Sequence, residues 1–255
     1  MTALPAAFLG APLAHRGYHD ARAGTPENSL AAFRAAIDAG YGIELDVQLS
    51  ADGQAMVFHD DTLDRLTPET GPVRARTAAD LAAIPLPDRS GIPTLPEVLA
   101  LVAGRAALLI EIKDQDGALG PNVGALERAV ARALHGYAGP AAVMSFNPHS
   151  VIAFGTHAPA LPRGLTSCAF DPADWPDVPR LGFAHLRDMP LYDAAGACFV
   201  SHQANDLSRP RIAELKTGGA AILCWTIRSP AAETAARTIA DNVTFEGYPA
   251  ALPRP

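Results

Sequence analysis

Residues 42–49 read Gly-Ile-Glu-Leu-Asp-Val-Gln-Leu and residues 107–113 read Ala-Leu-Leu-Ile-Glu-Ile-Lys. Side chains alternate along a strand, so Glu44 and Asp46 share one face of the first stretch, and Glu111 and Lys113 share one face of the second. The residues between them are apolar. A strand at a protein surface would turn such acids to water. Strands with so much branched apolar content instead suit a parallel sheet covered by helices, with the charges gathered at one end of it.

Working outward, short apolar runs alternate with helical patterns along the chain, as repeated βα units do. The runs are Leu13–Gly17, Gly42–Leu49, Ala107–Lys113, Ala142–Phe146, Arg163–Ser167, Ala197–Ser201, Ala221–Ile227 and Val243–Glu246. Eight such strands in 255 residues are the size of a TIM (β/α)8 barrel. A first helix is expected from Thr25 as N-cap and Pro26 as first residue, with Leu30, Phe33 and Ile37 on one face and Gly40 ending it. Thr94-Leu95-Pro96-Glu97 has capping-box spacing and opens another. Further helices are expected near Val123–Leu134 and Arg209–Lys216. Ser50 to Arg105 is too long for an ordinary βα loop and is rich in Pro, Asp and Arg. The chain therefore reads as one domain over 1–255 with a small insertion after the second strand, at about 50–105, entered through a hairpin at Ala55–His59.

Composition narrows the function. With 49% hydrophobic and 18% charged residues the chain is globular, and a net charge of −7 argues against a nucleic-acid surface. Cys168, Cys198 and Cys224 are odd in number and widely spaced, which suits buried thiols in the cytoplasm. The first fifteen residues lack a basic segment, and His15 follows closely, so no signal peptide is expected. No run reaches the roughly 18 apolar residues of a membrane span.

The charged positions suggest chemistry on a phosphodiester. Two carboxylates on one buried face, Glu44 and Asp46, would repel each other unless a cation compensates, and Glu111 on the next strand is a third candidate ligand. Lys113 lies one step nearer the mouth, where it could reach a phosphate oxygen. His15 and Arg16 end the first strand, where barrel enzymes collect their catalytic groups, and Gly17 allows a sharp turn. His59 ends the hairpin, with Asp60 or Asp61 able to orient it. Trp225, on the seventh strand, could wall a pocket or fill the core. His202 is expected as a substrate contact; His19, His135, His149, His157 and His185 read as structural or solvent-facing. No HxH pair marks a zinc-dependent barrel hydrolase.

These motifs together resemble the glycerophosphodiester phosphodiesterases over nearly the whole chain: HRG (15–17), PENSL (26–30), ELDVQLSADG (44–53), HDDTLDRLT (59–67), IPTLPEVL (92–99), EIK (111–113), SF (145–146) and WTI (225–227). The resemblance implies a TIM barrel with a segment inserted after the second strand. It implies His15 and His59 as the acid/base pair, and Glu44, Asp46 and Glu111 as ligands of one divalent cation, Mg²⁺ or Ca²⁺. It implies Arg16 and Lys113 as phosphate contacts, and Glu27 and Asn28 as positions near the site. The substrate would be a small-molecule glycerophosphodiester, cleaved to glycerol 3-phosphate and an alcohol, with neither nucleic acid nor stable membrane insertion involved. Other readings are a lysophospholipase D-type phosphodiesterase using the same site, and a barrel that only binds phosphorylated ligands. One departure stands out. The family's last strand ends in Thr-Asp before a proline, whereas this chain reads Val243-Thr244-Phe245-Glu246-Gly247-Tyr248-Pro249.

Overall fold

In the computed structural model, residues 3–253 are described, apart from 174, 176, 177, 179, 180 and 181. The strands are β1 (Leu13–Ala14), β2 (Gly42–Leu49), β3 (Ala55–Val57), β4 (Leu108–Ile112), β5 (Ala141–Ser145), β6 (Arg163–Ser167), β7 (Phe199–Gln203), β8 (Ala221–Ile227) and β9 (Asn242–Phe245). Every neighbouring pair is parallel except β2–β3. The sheet runs β1-β9-β8-β7-β6-β5-β4-β2, and the pairing of β1 with β2 closes it into an eight-stranded barrel, with β3 hanging on β2 as an antiparallel edge.

Helices α1 (Leu30–Asp38), α2 (Ala78–Ala83), α3 (Leu95–Val102), α4 (Ala125–Leu134), α5 (Pro148–His157), α6 (Gly182–Asp188), α7 (Pro210–Thr217) and α8 (Pro230–Ala236) fall between the strands. Ile43, Leu45 and Val47 of β2 and Ile110 and Ile112 of β4 pack outward into the main apolar layer, with Phe33 of α1 and Val98 of α3. The interior is a separate, smaller cluster. Leu13, Leu109, Ala142, Met144, Phe199 and Leu223 fill it, and Leu4 and Phe8 close its lower end. Asn242 fixes that plug by donating from Nδ2 to the carbonyls of Phe8 and Ala11, both at 2.8 Å.

The elements depart from the sequence reading where the chain bends into the site. The first strand stops at Ala14, because Arg16 and Gly17 take left-handed φ values of 55° and 81°. A Cβ on Gly17 would lie 2.8 Å from Cβ of Ala32, so only glycine lets α1 pack this closely. The first helix begins not at Pro26 but at Leu30, capped by Ser29 Oγ accepting from Ala32 N–H. Asn28 sits at φ 54°, its N–H donating to the Arg16 carbonyl, and this pulls Glu27 and Asn28 out of the helix. The sixth expected strand lies two residues later, at Phe199–Gln203, because the turn through Gly196 (φ 60°) returns Ala197 N–H to Tyr192. The capping box at Thr94–Glu97 is present.

Within residues 50–105, α3 lies in the outer layer of the barrel. The stretch before it has its own small core of Met56, Phe58, Leu63, Val73, Leu81, Ile84, Leu86 and Ile92. Among the described residues no helix is long and apolar enough to cross a membrane.

Phe199 is fully buried against the other interior side chains. Phe199→Ala should therefore lower unfolding free energy by about 3–5 kcal/mol in a urea titration, a larger effect than truncating an outer-layer alanine-rich position.

Candidate active site

At the C-terminal end of the barrel, β2 and β4 lie in register with Asp46 opposite Glu111. Because side chains alternate, Glu44, Asp46 and Glu111 turn inward while their apolar neighbours turn to the helices. All three are buried, and one carboxylate oxygen from each lies within 4.8 Å of the others. Burial and the charges of Asp46 and Glu111 push the Glu44 carboxyl well above its usual range. Burial also pushes Asp46 upward, but Lys113, His59 and Arg16 outweigh it and hold Asp46 well below that range.

Lys113 bridges the group, with Nζ 2.7 Å from Asp46 Oδ1 and 2.6 Å from Glu111 Oε1. Its ammonium remains charged because those two carboxylates outweigh the cost of burial. Arg16 donates its backbone N–H to Glu44 Oε2 at 3.0 Å, and its Nη1 to Glu27 Oε1 at 2.7 Å. Its Nε is buried without a hydrogen-bond partner, 3.6 Å from Asp46 Oδ2. Asn28 donates from Nδ2 to Asp46 Oδ2 at 2.9 Å. Three crowded acids, one of them favouring its proton, form a hard oxygen donor set that fits a divalent cation.

Each histidine leans on a carboxylate. His15 Nδ1 is 2.5 Å from Glu246 Oε2, and His59 Nδ1 is 2.7 Å from Asp60 Oδ1. Glu246 is held on its other oxygen by Arg228 and has His19 Nε2 3.8 Å away. The His15 hydrogen bond, with His19 close by and Arg228 adding its charge, keeps Glu246 ionised far below the usual carboxylate range. Burial lowers the His15 pKa, the Glu246 bond pulls it up, and Arg16 adds to the lowering; the balance is downward. Between the two flanks runs a chain of ion pairs: Arg65 spans Asp60 (2.6 Å) and Glu27 (2.8 Å), and Glu27 reaches Arg16.

The structure thus brings His15, Arg16, Glu27, Asn28, Glu44, Asp46, His59, Glu111 and Lys113 to one mouth. Trp225 lines the cleft there, its Nε1–H donating to the Ser201 carbonyl. His202 does not join them. It lies inside β7, fully buried, with Nε2 3.2 Å from Asp206. Phe199 of the same strand faces inward and Val200 outward, so the alternation sends His202 to the helix side. The expected substrate contact is corrected accordingly. Arg65 and His19 were missed: Arg65 lies in the insertion, and His19 meets Glu246 only through the fold, its sequence neighbour Asp20 instead capping the following turn.

The chain matches the family model "Glycerophosphoryl diester phosphodiesterase family" over residues 15–245. It is similar to a Bacillus subtilis (strain 168) protein whose name assigns it to the glycerophosphodiester phosphodiesterases, with 30% identity over 241 residues, 91% of this chain and 90% of that protein. A glycerophosphodiester phosphodiesterase from Caldanaerobacter subterraneus subsp. tengcongensis is 37% identical over 164 residues, covering 60% of this chain and 65% of its own. In fold, the chain resembles an Oleispira antarctica phosphodiesterase solved with its product sn-glycerol-3-phosphate (TM-score 0.75, 24% identity, 95% of this chain and 94% of that one). It also resembles the glycerophosphodiester phosphodiesterase of Thermotoga maritima (TM-score 0.70, 24% identity, 91% and 92%).

The raised pKa of Glu44 has a sign that can be checked. The folded state holds that proton more tightly than the unfolded chain, so metal-free stability is lost as pH rises above the ordinary glutamate value. Glu44→Gln should therefore melt higher than the unchanged protein at pH 7 in chelator. Addition of Mg²⁺ or Ca²⁺ should reverse the order, because ligand binding stabilises the intact triad more. A calorimetric scan with and without the ion tests both halves.

Proposed function

The chain belongs to the glycerophosphoryl diester phosphodiesterase family and is an enzyme of that class, and from that premise we propose that it hydrolyses glycerophosphodiesters to glycerol 3-phosphate and an alcohol. The observation that carries this reading is the meeting of a buried acid triad, two inward cations and two carboxylate-held imidazoles at one barrel mouth. We read residues 1–255 as one such domain, with the insertion supplying His59, Asp60 and Arg65 to one wall of the site. The three cysteines, odd in number, support a cytoplasmic location; burial pushes the Cys224 thiol up to about 12.

Glu44, Asp46 and Glu111 would hold Mg²⁺ or Ca²⁺, which supplies charge to offset that developing on the phosphate oxygens and lowers the pKa of a nearby hydroxyl. Arg16, with its unpaired Nε, and Lys113 bind the phosphate oxygens. Lys113 exchanges its carboxylate partners for phosphate as the substrate enters. Asn28 and Glu27 fix Asp46 and Arg16, and Trp225 walls the cleft.

Glu246 holds Nδ1 of His15, leaving Nε2 for the substrate, and Asp60 does the same for His59. The depressed pKa leaves His15 neutral near pH 7, so it accepts the proton of the attacking hydroxyl, either water or the glycerol 2-hydroxyl. As the new oxygen–phosphorus bond forms and the ester bond breaks, His59 gives its proton to the departing alkoxide. On the glycerol-hydroxyl route, water then opens the cyclic diester with the two histidines in exchanged roles.

His15→Ala and His59→Ala should each lower kcat by about 10²–10⁴-fold with the circular dichroism spectrum unchanged; near-normal turnover in either removes that residue from the mechanism. EDTA should abolish hydrolysis of glycerophosphocholine, and Mg²⁺ or Ca²⁺ should restore it. Glu246→Gln keeps a hydrogen-bond partner but deletes the charge that raises the His15 pKa. The acid limb of the kcat/KM profile should then move to lower pH, and a limb that stays in place separates Glu246 from His15 function.

A further inference from the structure

The inward face of β2 continues past the acids to Gln48, two residues beyond Asp46. Its side chain is buried and bonded at both ends of its amide. Nε2 donates to the main-chain carbonyl of His59 at 3.1 Å, and Oε1 accepts from Gln115 Nε2 at 2.8 Å. Gln115 in turn donates to the Lys113 carbonyl at 2.8 Å and accepts from Leu49 N–H at 3.3 Å. A carbonyl only accepts and an N–H only donates, so one orientation of each amide satisfies all four bonds.

The Gln115 amide stands where the β2–β4 ladder would otherwise continue. That ladder begins with Ile43 N–H on the Ala107 carbonyl, and its regular repeat would bring Leu49 N–H to the Lys113 carbonyl. Gln115 takes both groups instead, and so holds the two strand ends apart by the width of one amide. Its remaining N–H carries the hold on to Gln48. The β2–β3 hairpin has ended by then: Phe58 N–H still reaches the Asp46 carbonyl, and among the described residues Gln48 makes the one hydrogen bond to the His59 main chain. Asp60 orients the His59 ring but is its neighbour in the chain and moves with it. The anchor of Asp60 on Arg65 runs through a guanidinium 47% exposed, where water screens it, whereas the Gln48 amide is buried.

We propose that Gln48 and Gln115 are positioning residues, an amide relay that sets where the proton donor His59 stands relative to the phosphate contact Lys113. The inference rests on the phosphodiesterase reading above and adds to it the groups that hold the acid in place. Proton delivery to a departing alkoxide needs the imidazole within hydrogen-bond reach of the ester oxygen, and a displacement of about 1 Å can cost about 10²-fold.

The test compares two esters in the presence of Mg²⁺ or Ca²⁺: glycerophosphocholine, whose alkoxide needs a proton to depart, and the para-nitrophenyl ester of glycerol phosphate, whose phenolate does not. Gln48→Met keeps the bulk and removes the amide. It should lower kcat for glycerophosphocholine by about 10- to 10²-fold with KM little changed, and lower kcat for the nitrophenyl ester far less. His59→Ala should show the same bias more strongly, and Gln48→Met added to His59→Ala should cost little more, since the amide acts through that imidazole. Gln115→Glu, at a partly exposed position, still accepts from Leu49 N–H but loses both donors. It should give the same bias in weaker form, and it carries the comparison if Gln48→Met fails to fold. Equal losses on both esters, a raised KM with kcat kept, or additive losses in the double variant overturn the relay and leave the reaction intact. A His59→Ala enzyme without the bias removes His59 as the acid, and this inference with it.

Discussion

Three carboxylates that water would keep apart are held together at the top of this barrel, and the arrangement around them follows from that crowding. Glu44, Asp46 and Glu111 are buried, so their repulsion is poorly screened. The protein answers with Lys113 between two of them, with the Arg16 backbone on the third, and with an upward pKa on Glu44. A bound divalent cation would relieve the same strain more completely. The site is thus built with a charge imbalance that ligand binding can discharge.

The imbalance also explains the shape of the chain nearby. Arg16 and Asn28 adopt left-handed backbone conformations, and the Asn28 N–H ties to the Arg16 carbonyl. A run that reads as the start of a helix is unwound so that Asn28 reaches Asp46 and Glu27 reaches Arg16. The same carboxylate of Glu27 continues through Arg65 to Asp60 and so to His59. The segment before α3 is therefore more than a cover: it joins the His59 flank to the Arg16 flank by paired charges.

On the opposite flank, Glu246 follows directly on the last strand. Its side chain reaches His15 while Arg228 holds its other oxygen and His19 stands close by. Phe245, the bulkier neighbour, turns away into the outer layer with Tyr18, Tyr41 and Tyr248. Phe245 thus leaves the pocket side of the strand to Glu246, which supports His15.

The strands, the barrel and the acid triad were legible in the sequence because they depend on local periodicity. Alternation in 42–49 and 107–113 fixes which side chains share a face, and hydrophobic spacing fixes where β and α segments fall. Thr94–Glu97 was equally readable, since a capping box is closed within four residues. The sequence could not state the start of α1, the pairing of Glu246 with His15 across 231 positions, or the bridge from Arg65 to Glu27. Nor could it show that His202 turns outward, which depends on where β7 begins. Those features are contacts between segments far apart in the chain, and they exist only once barrel closure brings β1, β2 and β9 side by side.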